Sequence, residues 1–229
     1  MKKRIIVSYT TVAFKESFWG LNGADRTDFI NRLCSSVSAS AERAYFYQVF
    51  PARSEYDFLI WTTQTCEELT APDAYFEKSA RAYSPFRQHI SFPTIMCGIT
   101  KPSMYTGGRP SPQEIDPHFG ERQPYFVIYP FAKTPDWYLK SREERQELMN
   151  GHITLGRKYP TIQQLLLYSF GIQDQEFIVA YEMDDLPLFS DLVQELRSTD
   201  ARLFTLLDTP IITGMLRTPE ALADVFAAQ

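Results

Sequence analysis

The 229-residue chain is 44% hydrophobic and 22% charged, which allows a sizeable core in one large or two small domains and excludes wholesale disorder. Its formal charge of −5 gives no electrostatic footprint for nucleic acid or an anionic membrane, and no apolar run approaches membrane-spanning length. The three cysteines, Cys34, Cys66 and Cys97, are far apart without metal-type spacing and are expected as buried free thiols in a soluble cytoplasmic protein.

The opening "MKKRIIVSYTTVAF" has the basic start of a secretory signal, but Ser8, Tyr9, Thr10 and Thr11 break its apolar run. It reads as a first strand. A helix follows in "ADRTDFINRLCSSV", then two strands, "AYFYQVF" and "YDFLIWTT", joined by "PARSE". After another helix this half closes on the strand "PTIMCGI". The segment 101–123 is rich in Gly and Pro and reads as a connector. Its "TGGRP" lacks the spacing of a phosphate-binding loop.

The pattern then repeats. "YFVIYPFAKTPDWYL" echoes the first strand, and "SREERQELMNGHITLGRKY" is a helix opened by a Ser141-x-x-Glu144 capping box. "IQQLLLYSF" and "QEFIVAYE" are strands joined by "GIQD". Leu188, Phe189, Leu192, Val193 and Leu196 mark the apolar face of the next helix, and "PIITGML" closes the half. Each half has the order β-α-β-β-α-β, the ferredoxin-like unit. The expected fold is therefore α+β, with two ferredoxin-like repeats (1–100 and 124–229) packing sheet to sheet as a dimeric α+β barrel within one chain.

Three histidines are present. His89 and His118 read as exposed polar residues. His152 shares the apolar stripe of Leu148 and Met149 on the face expected to enter the core. Spacing alone favours a core histidine satisfied by a backbone carbonyl; the sharper alternative is an axial ligand to a haem between helix and sheet. HxxxH, HExxH, CxxC and GxSxG patterns are absent, so any enzyme here would draw its reactivity from a cofactor.

Three runs carry a family resemblance: "YPFAKTPDWYLKSREERQELMNGHITLGRKYP", "FGIQDQEFIVAYE" and "LRSTDARLFTLLDTPIITG". Through them the second half resembles the chlorite dismutase-like haem protein family, and within it the actinobacterial type of coproheme decarboxylase. The first half matches weakly, mainly through "GITKPSMYTGG". The resemblance implies that His152 is the proximal iron ligand and that Tyr129 is the tyrosine that becomes a radical and abstracts hydrogen from a propionate. It further implies that Lys133 lies near the reactive propionate, that Trp137 lies near the haem edge and that Arg197 engages propionates. Tyr105 is a weaker candidate for a propionate hydrogen bond. The competing readings are a solvated lysine, a core indole and surface salt bridges; for Arg202 a surface salt bridge is preferred.

Chlorite dismutases place an arginine over the distal haem face. Here that position falls on Leu165 or Gln164, depending on the direction of counting, and no Lys or Arg occurs from 159 to 196. The carboxylate that hydrogen-bonds their proximal histidine corresponds to Ala201, with Asp200 adjacent. Both departures favour hydrogen peroxide-dependent oxidative decarboxylation of Fe-coproporphyrin III (coproheme) to haem b. The alternatives are a chlorite-degrading or peroxidase-like haem enzyme and a non-catalytic haem-binding protein. A homopentamer and a coproporphyrin ferrochelatase that supplies substrate are also implied. The distal proton acceptor stays open: the actinobacterial type uses a distal histidine, His118 is the one histidine of the connector, and Gln164 and Met104 are further candidate distal neighbours.

Overall fold

A computed structural model describes residues 4–68, 70–105 and 111–227. The "TGGRP" segment, at 106–110, lies outside the described residues.

The chain begins with strand β1 (Arg4–Phe14). Residues Ile6–Val12 are buried without alternation, because β1 lies between two partner strands and both of its faces are covered. The polar residues that interrupt its apolar run are buried too, and the Thr11 hydroxyl is satisfied by the Thr94 carbonyl at 2.9 Å. The first half continues with α1 (Glu16–Trp19), α2 (Gly23–Ser40), β2 (Arg43–Gln48), β3 (Phe58–Cys66), α3 (Ala71–Tyr83), β4 (Ile90–Ser91) and β5 (Ile95–Thr100). The second half comprises β6 (Tyr125–Lys133), α4 (Pro135–Leu139), α5 (Arg142–Gly156), β7 (Gln163–Tyr168), β8 (Phe177–Met183), α6 (Leu186–Arg197), β9 (Thr205–Leu207) and β10 (Ile212–Arg217). A last helix, α7 (Pro219–Ala227), lies beyond anything read from the sequence.

The fold is mixed α+β around a large antiparallel sheet. Its main strands run β2-β3-β1-β5 in the first half and β7-β8-β6-β10 in the second. β5 pairs with β7 and β10 pairs with β2, so the hydrogen-bonded path returns on itself. A glycine sits at each of these two seams. A Cβ on Gly98 would stand 2.8 Å from the Leu167 Cβ, and one on Gly214 would stand 2.7 Å from the Tyr47 Cβ. These approaches leave no room for a side chain.

Inside the closed path lies a core drawn from both halves, including Tyr9, Tyr47, Trp61, Phe126, Leu167 and Ile178. The Tyr47 and Phe126 rings stack with centroids 4.5 Å apart. Outside, the helices form two layers. Over the first half, α2 buries Phe29, Ile30, Leu33, Cys34 and Val37 against Phe46, Phe58 and Ile60, and α7 adds Leu222, Ala223 and Phe226 to the same cluster.

Over the second half, α5 starts at the expected capping box. The Ser141 hydroxyl accepts from the Glu144 amide at 3.1 Å, and the Glu144 carboxylate accepts from the Ser141 amide at 2.7 Å. Yet no residue of α5 is buried. The stripe expected to enter the core instead fronts a cavity between helix and sheet. Cys34 and Cys97 are buried thiols as expected, and Cys66 is half-buried. Among the described residues no helix is long and apolar enough to cross a membrane.

Candidate active-site cavity

Strand alternation decides which side chains face the space beneath α5. On β6, Ile128 points into the inner core, while Tyr129, Phe131 and Lys133 face the cavity. On β8 the cavity face is Phe177, Val179 and Tyr181. On β7, Gln164 pairs with Tyr181 and Leu166 with Val179, so Gln164 and Leu166 share that face. Leu165 belongs to the inner core, with 3% exposure. Both residues border the cavity, but Leu165 packs in the inner core while Gln164 shares the face of Tyr181 and Val179.

The cavity has a volume of about 1540 Å³, larger than the roughly 300–1,000 Å³ common for small-molecule sites. Its wall brings together every residue singled out from the sequence for a ligand: Tyr105, Tyr129, Lys133, Trp137, His152, Gln164 and Arg197. Met104, Ala201 and Arg202 line it too. The other two histidines lie elsewhere. His89 contacts the Ser17 hydroxyl, and His118 Nε2 stands 3.4 Å from Glu42 Oε2, off the cavity wall.

His152 enters from α5, where Met149, His152, Ile153 and Gly156 face the cavity at helical spacing. Burial, and secondarily the Lys133 ammonium, lowers its pKa to about 4. The imidazole is therefore neutral at ordinary pH, the form that ligates metals. Its Nδ1 is buried with no hydrogen-bond partner among the described residues, in a site where buried Ala201 supplies no carboxylate. No group of three or more His, Cys, Asp or Glu that could hold a metal occurs among the described residues. The donor set is one imidazole.

Tyr129 lies on the opposite wall. Its ring stacks beside Tyr181, with centroids 6.1 Å apart and planes at 27°. Burial raises the pKa of both phenols, and the facing Tyr181 hydroxyl offsets part of this for Tyr129. Lys133 is held over the Trp137 ring at 4.6 Å and donates to the Ala201 carbonyl at 3.3 Å. Burial, and then the Arg202 charge, lowers its pKa to about 8. The reading of Lys133 as a solvated loop residue therefore does not describe its surroundings. Trp137 is 3% exposed and packs on Tyr105 and Phe204. Arg197 and Arg202 both pair with Asp208 while facing the cavity.

The charge balance of the wall is one-sided. Arg4, Lys101, Lys133, Arg145, Arg157, Arg197 and Arg202 stand against Glu114 and Asp208. In a chain of net charge −5 this is a concentrated cationic lining suited to a polyanionic ligand. Arg145 and Tyr181 were not singled out from the sequence. Helical spacing from His152 and alternation along β8 were the signals that could have found them.

Comparison with known proteins agrees with this architecture. The family described as chlorite dismutase matches residues 25–217. A coproheme decarboxylase from Mycolicibacterium smegmatis is 28% identical over 200 residues, covering 84% of this chain and 82% of that protein. A crystal structure provisionally named a chlorite dismutase is 27% identical and superposes with a TM-score of 0.82, covering 99% of this chain and 100% of that one. A mutant chlorite dismutase from Candidatus Nitrospira defluvii shares the fold, with a TM-score of 0.83 at 19% identity over 99% of this chain and 97% of that one. The cavity-bearing half and most of the first half fall inside the matched region, and the chain belongs to the chlorite dismutase family.

Proposed function

We propose that this chain is an enzyme that binds an iron porphyrin through His152 and oxidatively decarboxylates Fe-coproporphyrin III to haem b with hydrogen peroxide. The observation that carries the reading is the shared cavity. A neutral imidazole on α5 faces a wall that presents a buried phenol, Tyr129, and a desolvated ammonium, Lys133. The fit of a porphyrin rests on the cavity's size, its apolar walls, its single imidazole donor and its excess of cations. The similarity to a coproheme decarboxylase supports the same substrate class.

When bound, the iron porphyrin is both substrate and the centre through which peroxide supplies oxidising equivalents. His152 would hold the iron, with an imidazole that no carboxylate partner makes more basic. Tyr129 would give up its phenolic hydrogen and then take one from the propionate carbon next to the ring. Loss of a second electron and of carbon dioxide would leave a vinyl group, while one peroxide is reduced to two waters; a second propionate and a second peroxide would repeat the step to give haem b. Lys133 would place the reacting carboxylate as a point charge. Its pKa, low in a dry pocket, would rise when that carboxylate arrives. Trp137, Tyr105, Gln164 and Arg197 would complete the walls of the same pocket.

The β7 residues that line the cavity, Gln164, Leu165, Leu166 and Tyr168, include no arginine, which weighs against chlorite degradation. We also read the two halves as ferredoxin-like repeats closing into a dimeric α+β barrel, divided at 100 and 124. The further reading is a cytoplasmic homopentamer supplied with coproheme by a coproporphyrin ferrochelatase.

The test is Tyr129→Phe. Porphyrin affinity should be kept while conversion of coproheme to haem b, followed by product mass during peroxide titration, is lost. Normal turnover in this variant would remove the radical role. Oxygen release from added chlorite by the parent protein would point to the other activity instead.

A further inference from the structure

Arg145 is a cation without an assigned partner in the cavity wall. It lies on α5 seven residues before His152, with Met149 between them on the same helical face. Its Nε is buried and makes no hydrogen bond among the described residues. A buried guanidinium donor left unpaired is costly, and its usual partner is a carboxylate or phosphate held by the fork.

The acids nearby are committed elsewhere. Asp208 binds Arg197 and Arg202. The Glu176 carboxylate accepts from the Tyr138 hydroxyl and the Lys133 amide. Glu114 lies at the far end of β7, where its backbone is bridged to Gln164, beside the C-terminal end of α5, where Gln113 donates to the Gly156 carbonyl. Arg145 stands at the other end, where its charge acts on the phenols of Tyr105 and Tyr138. The loop bearing Tyr105 is tied to the same helix, because the Gln146 amide donates to the Tyr105 carbonyl at 3.2 Å.

We infer that Arg145, with Tyr105 beside it, forms a second carboxylate subsite that holds a propionate other than the one placed by Lys133. The inference rests on the porphyrin reading above and adds to it a determinant of selectivity. A ligand with carboxylates at several edges engages Lys133 and Arg145 together, whereas one lacking them loses both anchors. Arg145 would be a positioning residue, gripping a part of the substrate remote from the reacting carbon.

The experiment compares the full chain with Arg145→Met and Arg145→Gln. Each protein, purified without porphyrin, is titrated with Fe-coproporphyrin III and with its tetramethyl ester in the same detergent, following tryptophan quenching and the Soret band. A charge-assisted pair of this kind corresponds to roughly 10- to 100-fold in affinity. Both variants should weaken the tetra-acid by that factor, leave the ester's affinity unchanged, and keep the parent's melting temperature and iron-ligation spectrum. Unchanged affinity for the tetra-acid, or equal losses for acid and ester, would overturn the subsite. Failure of the parent itself to bind Fe-coproporphyrin III would instead strike the underlying porphyrin reading.

Discussion

Helices α2 and α5 cover sheets of the same strand order and do opposite things. α2 sets its apolar stripe into a cluster with Phe46, Phe58 and Phe226, leaving Leu33 and Val37 without exposure. α5 buries none of its residues, and beneath it lies the cavity of about 1540 Å³. The first layer uses apolar burial for stability, at about 25 cal/mol per Å². The second layer still buries Phe189 and Leu192 of α6 in a cluster with Val127 and Tyr181, but α5 withholds that burial and leaves Met149, His152 and Ile153 for a ligand to cover. A site of this kind is an unfinished core, completed when the ligand's own apolar surface enters it.

The largest effect that would sharpen this contrast is at His152. His152→Ala should abolish axial ligation of added iron porphyrin, seen as loss of the parent's Soret position. The variant's own stability should change by only about 0.5 kcal/mol in denaturant melts, because the side chain packs no core. Retention of the parent spectrum and affinity would break the assignment.

Leu33→Ala, in the filled layer, should cost about 2–5 kcal/mol by urea unfolding, from lost transfer energy and the cavity left behind.

A third effect comes from the inner core. Glu182 is fully buried, and burial raises its pKa to about 7 although Arg122 Nη1 lies 3.7 Å away. A carboxyl whose folded pKa is raised stabilises the protein below its unfolded pKa, and that contribution is lost as pH rises through about 7. Stability should therefore fall between pH 5 and pH 8, by at most about 3 kcal/mol from this group. Glu182→Gln should flatten the slope of stability against pH, whatever it does to the level. An unchanged slope would remove Glu182 as its source.

The smallest effect is expected at Met149→Ala, within about 1 kcal/mol of the parent. A loss as large as that of Leu33→Ala would mean that α5 is packed after all.

Much of the fold was legible because it depends on local patterns. The Ser141–Glu144 box sits at the start of α5, and the strands from "IIVSYTTVAF" to "PIITGML" occur in the expected order. The helix after β10 was missed: its value lies in packing Leu222 and Phe226 on residues near position 30, which no local pattern reports. At the site, spacing picked out the histidine on an apolar stripe and the family resemblance picked out the tyrosine of "YPFAK", and the structure sets them on facing walls of one cavity.

The sequence by itself determined most of the elements, their order and the stripe that carries His152, because caps and hydrophobic periods are properties of adjacent residues. Tyr129 was singled out by the family resemblance of "YPFAK". Only the tertiary structure decided what lies opposite each face. A helical stripe has the same period whether it meets a core or an open cavity, so the standing-off of α5 could not be read from residues 141–159. The placing of Gln164 on the face of Tyr181 and of Leu165 in the inner core, the pairing of Tyr129 with Tyr181 and the exposure of Arg145 to the cavity follow from strand register and helix placement. Those are set by the closure of the sheet at Gly98 and Gly214, where backbones approach too closely for a side chain.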